Sequence, residues 1–313
     1  AAPRGHAKST VMSLKNVLHA ALYGYKRYIL LISDTESQAA GFLDAIKNEL
    51  ETNERILSDF GAQAGKRTWK SSSILLENGC RIDAVGSGQK IRGRRNLERR
   101  PDLILCDDIE NDEGVRTAEQ RQKTAAWFWK AVCKSGDSYT DILVIGTILH
   151  HDSLLANLLE NPGFSALRYR AVLADSPSPL WQQWEALFTD LSDPRREDTA
   201  EAFFKSHRRE MLAGSRVLWR QKLSYYDLRV MRLTEGEAAF HSEMQNQPVN
   251  PADCLFSPDW FRFYNPCEVD FRAPSFRFYG YCDPSLGQSD RGDYSAILTL
   301  AVDGDTGIGY VWD

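Results

Sequence analysis

Lys8, Ser9 and Thr10, preceded by Ala2-Pro3-Arg4-Gly5-His6-Ala7, have the types and spacing of a loop that wraps a phosphate. Such a loop reads G-x-x-x-x-G-K-[ST]. Small residues let backbone N–H groups close around the phosphate, the lysine reaches the outer phosphates, and the hydroxyl holds Mg²⁺. Ala2 and Ala7 stand where both glycines belong, and Gly5 adds one inside the loop. The match is therefore degenerate, and a Lys-Ser-Thr opening a helix is by itself an ordinary helix start.

A second stretch adds the complementary chemistry. Pro101-Asp102-Leu103-Ile104-Leu105-Cys106-Asp107-Asp108-Ile109-Glu110 is a short apolar run ending in carboxylates. It predicts a buried parallel strand that delivers acids at its C-terminal end, where open α/β sheets bind ligands. Asp107 would hold Mg²⁺ through water, and Asp108 or Glu110 would orient an attacking water. The plain alternative is a solvated turn after a strand. Loop and acidic strand in this order point to ATP hydrolysis.

The elements that must position these groups follow from hydropathy. Val11, Leu14, Val17, Leu18, Ala21 and Leu22 have helical spacing over Lys8–Leu22, so that helix would aim its N-terminus at phosphate. Arg27–Ile32 is strand-like, and Ser33 or Asp34 would cap a helix with Ala39, Phe42, Leu43, Ile46 and Leu50 on one face. Strand, turn and helix in this order make a parallel α/β unit. Glu77-Asn78-Gly79 inside Ser73–Val85 signals a hairpin. Thr117–Cys133 is predicted helical and Ile142–Gly146 a buried strand, with Asp152 or Ser153 capping Leu154–Leu159. His150 and His151 suit a polar loop better than a metal pair.

Lys90, Arg92, Arg94, Arg95, Arg99 and Arg100 stand against the single Glu98. Such a run either touches phosphates, of nucleotide or DNA, or is a solvated loop. Beyond Asp175 prolines punctuate the chain, and helices are expected over Thr199–Leu212 and Tyr225–Met244. Trp181, Trp184, Phe188, Phe203, Phe204 and Trp219 read as the core of a small helical subdomain. Gln245–Pro251 reads as the exit to a linker, which belongs with the segment 251–313. Arg277–Cys282, Tyr294–Val302 and Gly307–Trp312 then form an expected β-meander, with Asp283 closing its first strand. Two-metal nucleases of the RNase H-like fold begin with such an acid on a central first strand.

Composition bounds the rest. A chain of 313 residues has room for two domains. An apolar content of 42% describes an ordinary globular protein, and no run reaches the length of a membrane span. The net charge of −5 does not by itself announce a nucleic-acid binder. Six cysteines without any C-x-x-C argue against a zinc site or disulfide framework. No charged-then-apolar leader is seen, so reduced cytosol is the expected compartment.

Together these segments resemble the large subunit of tailed-bacteriophage terminase, the motor-nuclease that packages DNA. Pro3–Ser9 is similar to that family's deviant phosphate loop with its early arginine. Ile91-Arg92-Gly93, the Arg100-Pro101-Asp102 lead-in and Asp107-Asp108 resemble its acidic-strand region. Gly146-Thr147 with His150 and Asp152 resembles its coupling motif, Gln245-Asn246-Gln247-Pro248 the end of its ATPase region, and Asp283 its first nuclease aspartate. Two departures are Ala7 for a glycine and Asp108 for a glutamate, so the base stays open between Asp108 and Glu110.

The resemblance implies an α/β fold: a P-loop NTPase parallel sheet (1–175), a helical lid or linker subdomain (176–250), and the start of an RNase H-like nuclease domain (251–313). It implies ATP and Mg²⁺ held by Gly5, His6, Ala7, Lys8, Ser9, Thr10, Asp107, Gly146 and Thr147. Arg4, or Arg92 from a neighbouring subunit, would neutralise charge on the transferring phosphoryl group. Asp283 would hold Mg²⁺ or Mn²⁺. Implied partners are double-stranded DNA, a portal protein, a small terminase subunit and further copies in a ring on the procapsid, in the host cytoplasm and without membrane. The chain reads as an excerpt, with the strand feeding the loop and the other nuclease acids expected elsewhere in a longer polypeptide. A helicase-like DNA-dependent ATPase and a DNA-binding module with a decayed loop are the competing readings.

Overall fold

Three largely apolar runs, Tyr28-Ile29-Leu30-Leu31-Ile32, Ile82–Val85 (interrupted by Asp83) and Leu103–Cys106, lie side by side in the middle of one sheet in a computed structural model that describes residues 1–248, 262–266, 269–283 and 296–312. The chain divides into two compact units, Ala1–Asp253 and Cys254–Asp313. The first is built on a mixed, mostly parallel six-stranded sheet. In chain order its strands are β1 (Tyr28–Ser33), β2 (Ala64–Trp69), β3 (Ser73–Leu76), β4 (Arg81–Gly86), β5 (Leu103–Asp107) and β6 (Asp141–Ile145). They are arranged β2-β3-β4-β1-β5-β6. β4, β1, β5 and β6 run parallel, while β2 and β3 pair antiparallel.

Strands buried on both faces need cover on both faces, which is why they read as continuous apolar runs. On one side lie a π-wound stretch Thr10–Asn16, its continuation α1 (Val17–Leu22), and α2 (Glu36–Thr52), followed by the short α3 (Glu54–Phe60). Val17, Ala21, Leu43, Ile46 and Leu50 pack there against Ile29, Leu31 and Leu105. On the other side α4 (Ala118–Trp127), a π-wound turn Phe128–Val132, α5 (Cys133–Ser135) and α6 (Leu154–Glu160) bring Phe128, Val132, Leu154 and Leu158 onto Leu30, Ile32, Ile104 and Cys106. Each fully buried Leu, Ile or Phe contributes about 1.5–3 kcal/mol relative to exposure. The register sets Ser33 beside both Gly86 and Asp107, and Asp107 beside Ile145. The parallel strands thus end together, at one rim.

Several local expectations are corrected. The helix after the loop opens as a π-helix rather than an α-helix. The cap of α2 is Thr35, whose hydroxyl accepts the Gln38 N–H, rather than Ser33 or Asp34. Ser33 is buried as the last residue of β1, and Asp34 accepts a hydrogen bond from Asn111. Ser153, not Asp152, caps α6. The basic run is partly structural. Arg94 joins Arg81 on the buried Asp83, while Arg92 donates to the Lys130 carbonyl within the π-turn and Arg100 to the Lys134 and Gly136 carbonyls in and after α5. Lys90, Arg95 and Arg99 are exposed.

A separate core follows. β7 (Val172–Ala174), α7 (Leu180–Thr189), α8 (Arg196–Met211), β8 (Arg216–Val217), α9 (Tyr225–Glu235) and α10 (Glu237–Glu243) surround Trp181, Trp184, Phe204, Met211, Tyr225 and Phe240. The helix expected over Tyr225–Met244 is broken in two, because Gly236 adopts φ 88°, ψ 156°, a conformation essentially reserved for glycine.

In the second unit β9 (Phe276–Asp283), β10 (Ala296–Asp303) and β11 (Gly309–Val311) form an antiparallel meander in the order β11-β10-β9. The first strand was expected at the centre of its sheet; among the described residues β10 is central and β9 lies at an edge. Asp283 is the last residue of β9, opposite Ala296. Tyr294 and Asp293 lie outside the described residues, as do residues 249–251 at the expected exit to the linker. Among the described residues no helix is long and apolar enough to cross a membrane.

Candidate phosphate-binding site

The rim where β1, β4, β5 and β6 end is capped by the stretch Ala2–Ser9. Ala2 N–H donates to the Gly146 carbonyl just beyond β6, and Arg4 N–H donates to the Glu243 carbonyl at the end of α10. Beyond these anchors the chain turns twice through left-handed backbone, at Gly5 (φ 72°) and Ala7 (φ 58°). Position 7 is where the loop pattern calls for glycine. Ala7 holds the same turn with a Cβ, at a cost of about 1–2 kcal/mol. Ala7→Gly is expected to stabilise the fold by roughly 0.5–1 kcal/mol after the added unfolded-state entropy of glycine, read as a raised unfolding midpoint. A lowered midpoint would mean that the Ala7 methyl packs productively.

The loop delivers Lys8 to two partners. Its ammonium donates to the Thr147 hydroxyl at 2.8 Å and pairs with Asp108 at 3.2 Å. Ser9 donates to Asp107 Oδ1 at 3.1 Å, and Ser13, one helical turn on, donates to Oδ2 at 2.5 Å. Asp107 is 2% exposed. Burial pushes its carboxyl above the ordinary range, and the Ser13 and Ser9 hydroxyls oppose that rise. A carboxyl raised this way favours the folded chain at low pH. That contribution is lost as pH rises through the folded value, and the ionised acid is then left wanting a cation.

Asp108 turns away from β5 with φ 47° and accepts the Thr147 N–H at 3.3 Å. Glu110 sits differently. Its two oxygens accept the Leu154 and Leu155 N–H groups at 2.8 and 3.0 Å, so it caps α6 from outside. Burial raises its carboxyl, against those two bonds. Of the two acids left open as base, Asp108 is the one in contact with Lys8 and Thr147.

Arg4 forms a two-pronged pair with Glu243 at 2.5 and 2.9 Å, and its guanidinium is mostly exposed. Hydrogen bonding to Glu243 raises its already high pKa. Arg92 lies away from the loop, on the Lys130 carbonyl. His6 Nδ1 donates to the Arg4 carbonyl, 3.0 Å away. Thr10 begins the π-wound stretch. Asp283 belongs to the other unit.

Sequence reasoning missed Ser13 and placed Asn246 only within the Gln245-Asn246-Gln247-Pro248 stretch, without a structural role. Ser13 is a serine among Met12, Leu14 and Val17; a polar residue on an apolar helix face was the available signal. Asn246 is fully buried with φ 51°. Its Oδ1 accepts the Ile148 N–H and its Nδ2 donates to the Tyr169 carbonyl, at 3.0 and 2.9 Å. It therefore locks the segment after Thr147. Asn246→Ala should cost roughly 2–4 kcal/mol, since two buried backbone groups lose their partners and alanine tolerates left-handed backbone poorly. Denaturant unfolding checks this; a loss under 1 kcal/mol would mean that water replaces the side chain.

The residues fit a bound phosphate. Among the described residues the amides of Ala7, Lys8 and Ser9 have no acceptor within the chain, at the start of a helix whose Ser9 makes no side-chain cap. Orphan amides beside a lysine are the donor set an anion needs. Ser9 and Asp107 supply two hard oxygens, enough for Mg²⁺ that draws its remaining ligands from water and phosphate. No group of three or more His, Cys, Asp or Glu that could hold a metal by itself stands among the described residues. No protein-family model matches this chain, and no curated protein does either.

Proposed function

We propose that this chain binds ATP with Mg²⁺, hydrolyses it, and uses the hydrolysis to move double-stranded DNA, as the motor part of a terminase large subunit. One observation carries the reading. Lys8, Thr147 and Asp108 meet at one point, and Ser9 meets Asp107 beside it, all at the C-terminal rim of the mostly parallel sheet.

Lys8 and the loop amides would hold the phosphates, and Ser9 with Asp107 would hold Mg²⁺, which supplies charge neutralisation on the phosphate oxygens. Phosphate arriving at Lys8 competes with Asp108 for the ammonium. Asp108, released but still tied to the Thr147 N–H, is then the carboxylate that orients water. Thr147 answers the change at Lys8 and passes it through Ile148 to Asn246 and Ser242, whose hydroxyl donates to the Ile148 carbonyl. These lie at the end of the helical subdomain, whose displacement would drive DNA. Arg4 would leave Glu243 for the phosphoryl group.

A ring of copies, a portal protein and a small terminase subunit belong to the same proposal. So does an RNase H-like nuclease using Mg²⁺ or Mn²⁺ at Asp283. Two ions about 3.5–4 Å apart need several converging acids, so Asp283 would act only with others.

The test is steady-state phosphate release by the 313-residue chain, with and without linear duplex DNA. Mg²⁺-dependent hydrolysis stimulated by duplex is expected. If no hydrolysis is detected in either condition, the chain is a binding module instead.

A further inference from the structure

Below the aromatic core of the helical subdomain lies a groove of about 600 Å³ lined by Arg208, Arg216 and Arg220. The three come from different places: the last turn of α8, strand β8, and the stretch leading to α9. Each is exposed, and among the described residues none of the three has an ion pair or a side-chain hydrogen bond. Within this subdomain Arg229 pairs with Glu185, and Arg232 with Glu237, both away from the groove lining. A helix C-terminus accounts for the charge at Arg208, but not at Arg216 or Arg220.

The groove wall holds Phe204 and Tyr226, stacked with ring centroids 4.3 Å apart, together with Ser215 and Ser224. Ser224 is the cap of α9, so the positive end of an eleven-residue helix opens on the same groove. Asp227 is the acid nearest that end; it is held in the capping box by the Ser224 N–H. Among the described residues no carboxylate lines the groove.

We infer that this groove binds the phosphodiester backbone of nucleic acid. Three unpaired guanidiniums on three separate segments of one groove offer partners to more than one phosphate, where a single small anion would leave most of the space empty. Guanidinium forks pair bidentately with phosphate oxygens. The Tyr226–Phe204 pair offers an apolar wall to sugars. The choice of nucleic acid over an acidic protein rests on the proposed DNA-moving function.

The experiment is fluorescence anisotropy of a labelled duplex against the full chain over a range of salt, with Arg208→Gln, Arg216→Gln and Arg220→Gln singly and together. Each phosphate contact contributes a slope of about 0.9 in log K against log salt. The triple variant should lose about 2–3 from that slope and bind roughly 10²-fold more weakly near 0.1 M salt, while each single variant loses about 1. ATP turnover without DNA should stay at the parent rate, which also reports that the variants are folded. Lys205→Gln on the same helix should leave the slope unchanged. A triple variant with the parent's slope overturns the assignment and leaves the ATPase reading intact. Displacement of duplex by poly-glutamate as effectively as by unlabelled DNA would also overturn it, in favour of an acidic protein. Arginine-dependent DNA binding by a chain that hydrolyses no ATP would instead remove the proposed motor and keep the groove.

Discussion

Replacing Lys8 by alanine is expected to weaken ATP binding by roughly 10²-fold or more, since hydrogen bonds to charged groups are worth about 1.5–3 kcal/mol each and this lysine would make more than one. The partners of Lys8 explain why the loss should be clean. Lys8 is held by Thr147 and Asp108, and Asp108 is partly exposed, with 38% of its side chain accessible. Water can therefore take over from the missing ammonium, and the stability change should stay within about 1 kcal/mol. Calorimetric titration with a non-hydrolysable analogue, paired with thermal unfolding of both proteins, separates affinity from folding. Lys8→Arg should not restore binding, because a planar fork cannot replace a point charge inside a closed loop. Equal affinity in the alanine variant and the parent would place the nucleotide elsewhere.

What the sequence disclosed about this site depended on whether the signal was local. β5 was legible because Leu103–Cys106 is uniformly apolar and ends in acids, and its burial on both faces follows from that alone. β2 was not. Ala64–Trp69 alternates nothing, and it is a strand because β3 offers it a ladder. The α2 cap fell at Thr35 because pairing with Gly86 and Asp107 extends β1 through Ser33, which no local rule contains. Gly236 was visible as a glycine, yet only its backbone conformation shows that it divides two helices. Asn246 meets Ile148 across 98 residues, and such a bond leaves no periodicity to read. Lys8 and Asp107 were legible as types. Their partners, Thr147 and Asp108 for Lys8, and Ser9 and Ser13 for Asp107, meet only where the loop crosses the ends of β5 and β6.

Asp108→Asn is expected to leave nucleotide binding intact and to lower turnover by roughly 10²–10⁴-fold, the usual range for a general acid–base group. Asparagine is the substitution that isolates this role. It tolerates the left-handed φ of 47° at this position better than most residues, and its Oδ1 can still accept the Thr147 N–H. What it loses is the negative charge beside Lys8, 3.2 Å away. An amide competes less well for the ammonium, so affinity for ATP should hold or rise while the water loses its base. Glu110→Gln should behave in the opposite way. Glu110 offers one oxygen to each of two backbone N–H groups at the start of α6, and glutamine keeps only one acceptor. Losing one such bond costs about 1–3 kcal/mol of stability and moves turnover little. Single-turnover hydrolysis of both variants, beside their unfolding midpoints, decides between the acids. A fast Asp108→Asn and a folded but inactive Glu110→Gln would transfer the water-orienting role to Glu110, and would require α6 to give up its cap when nucleotide binds.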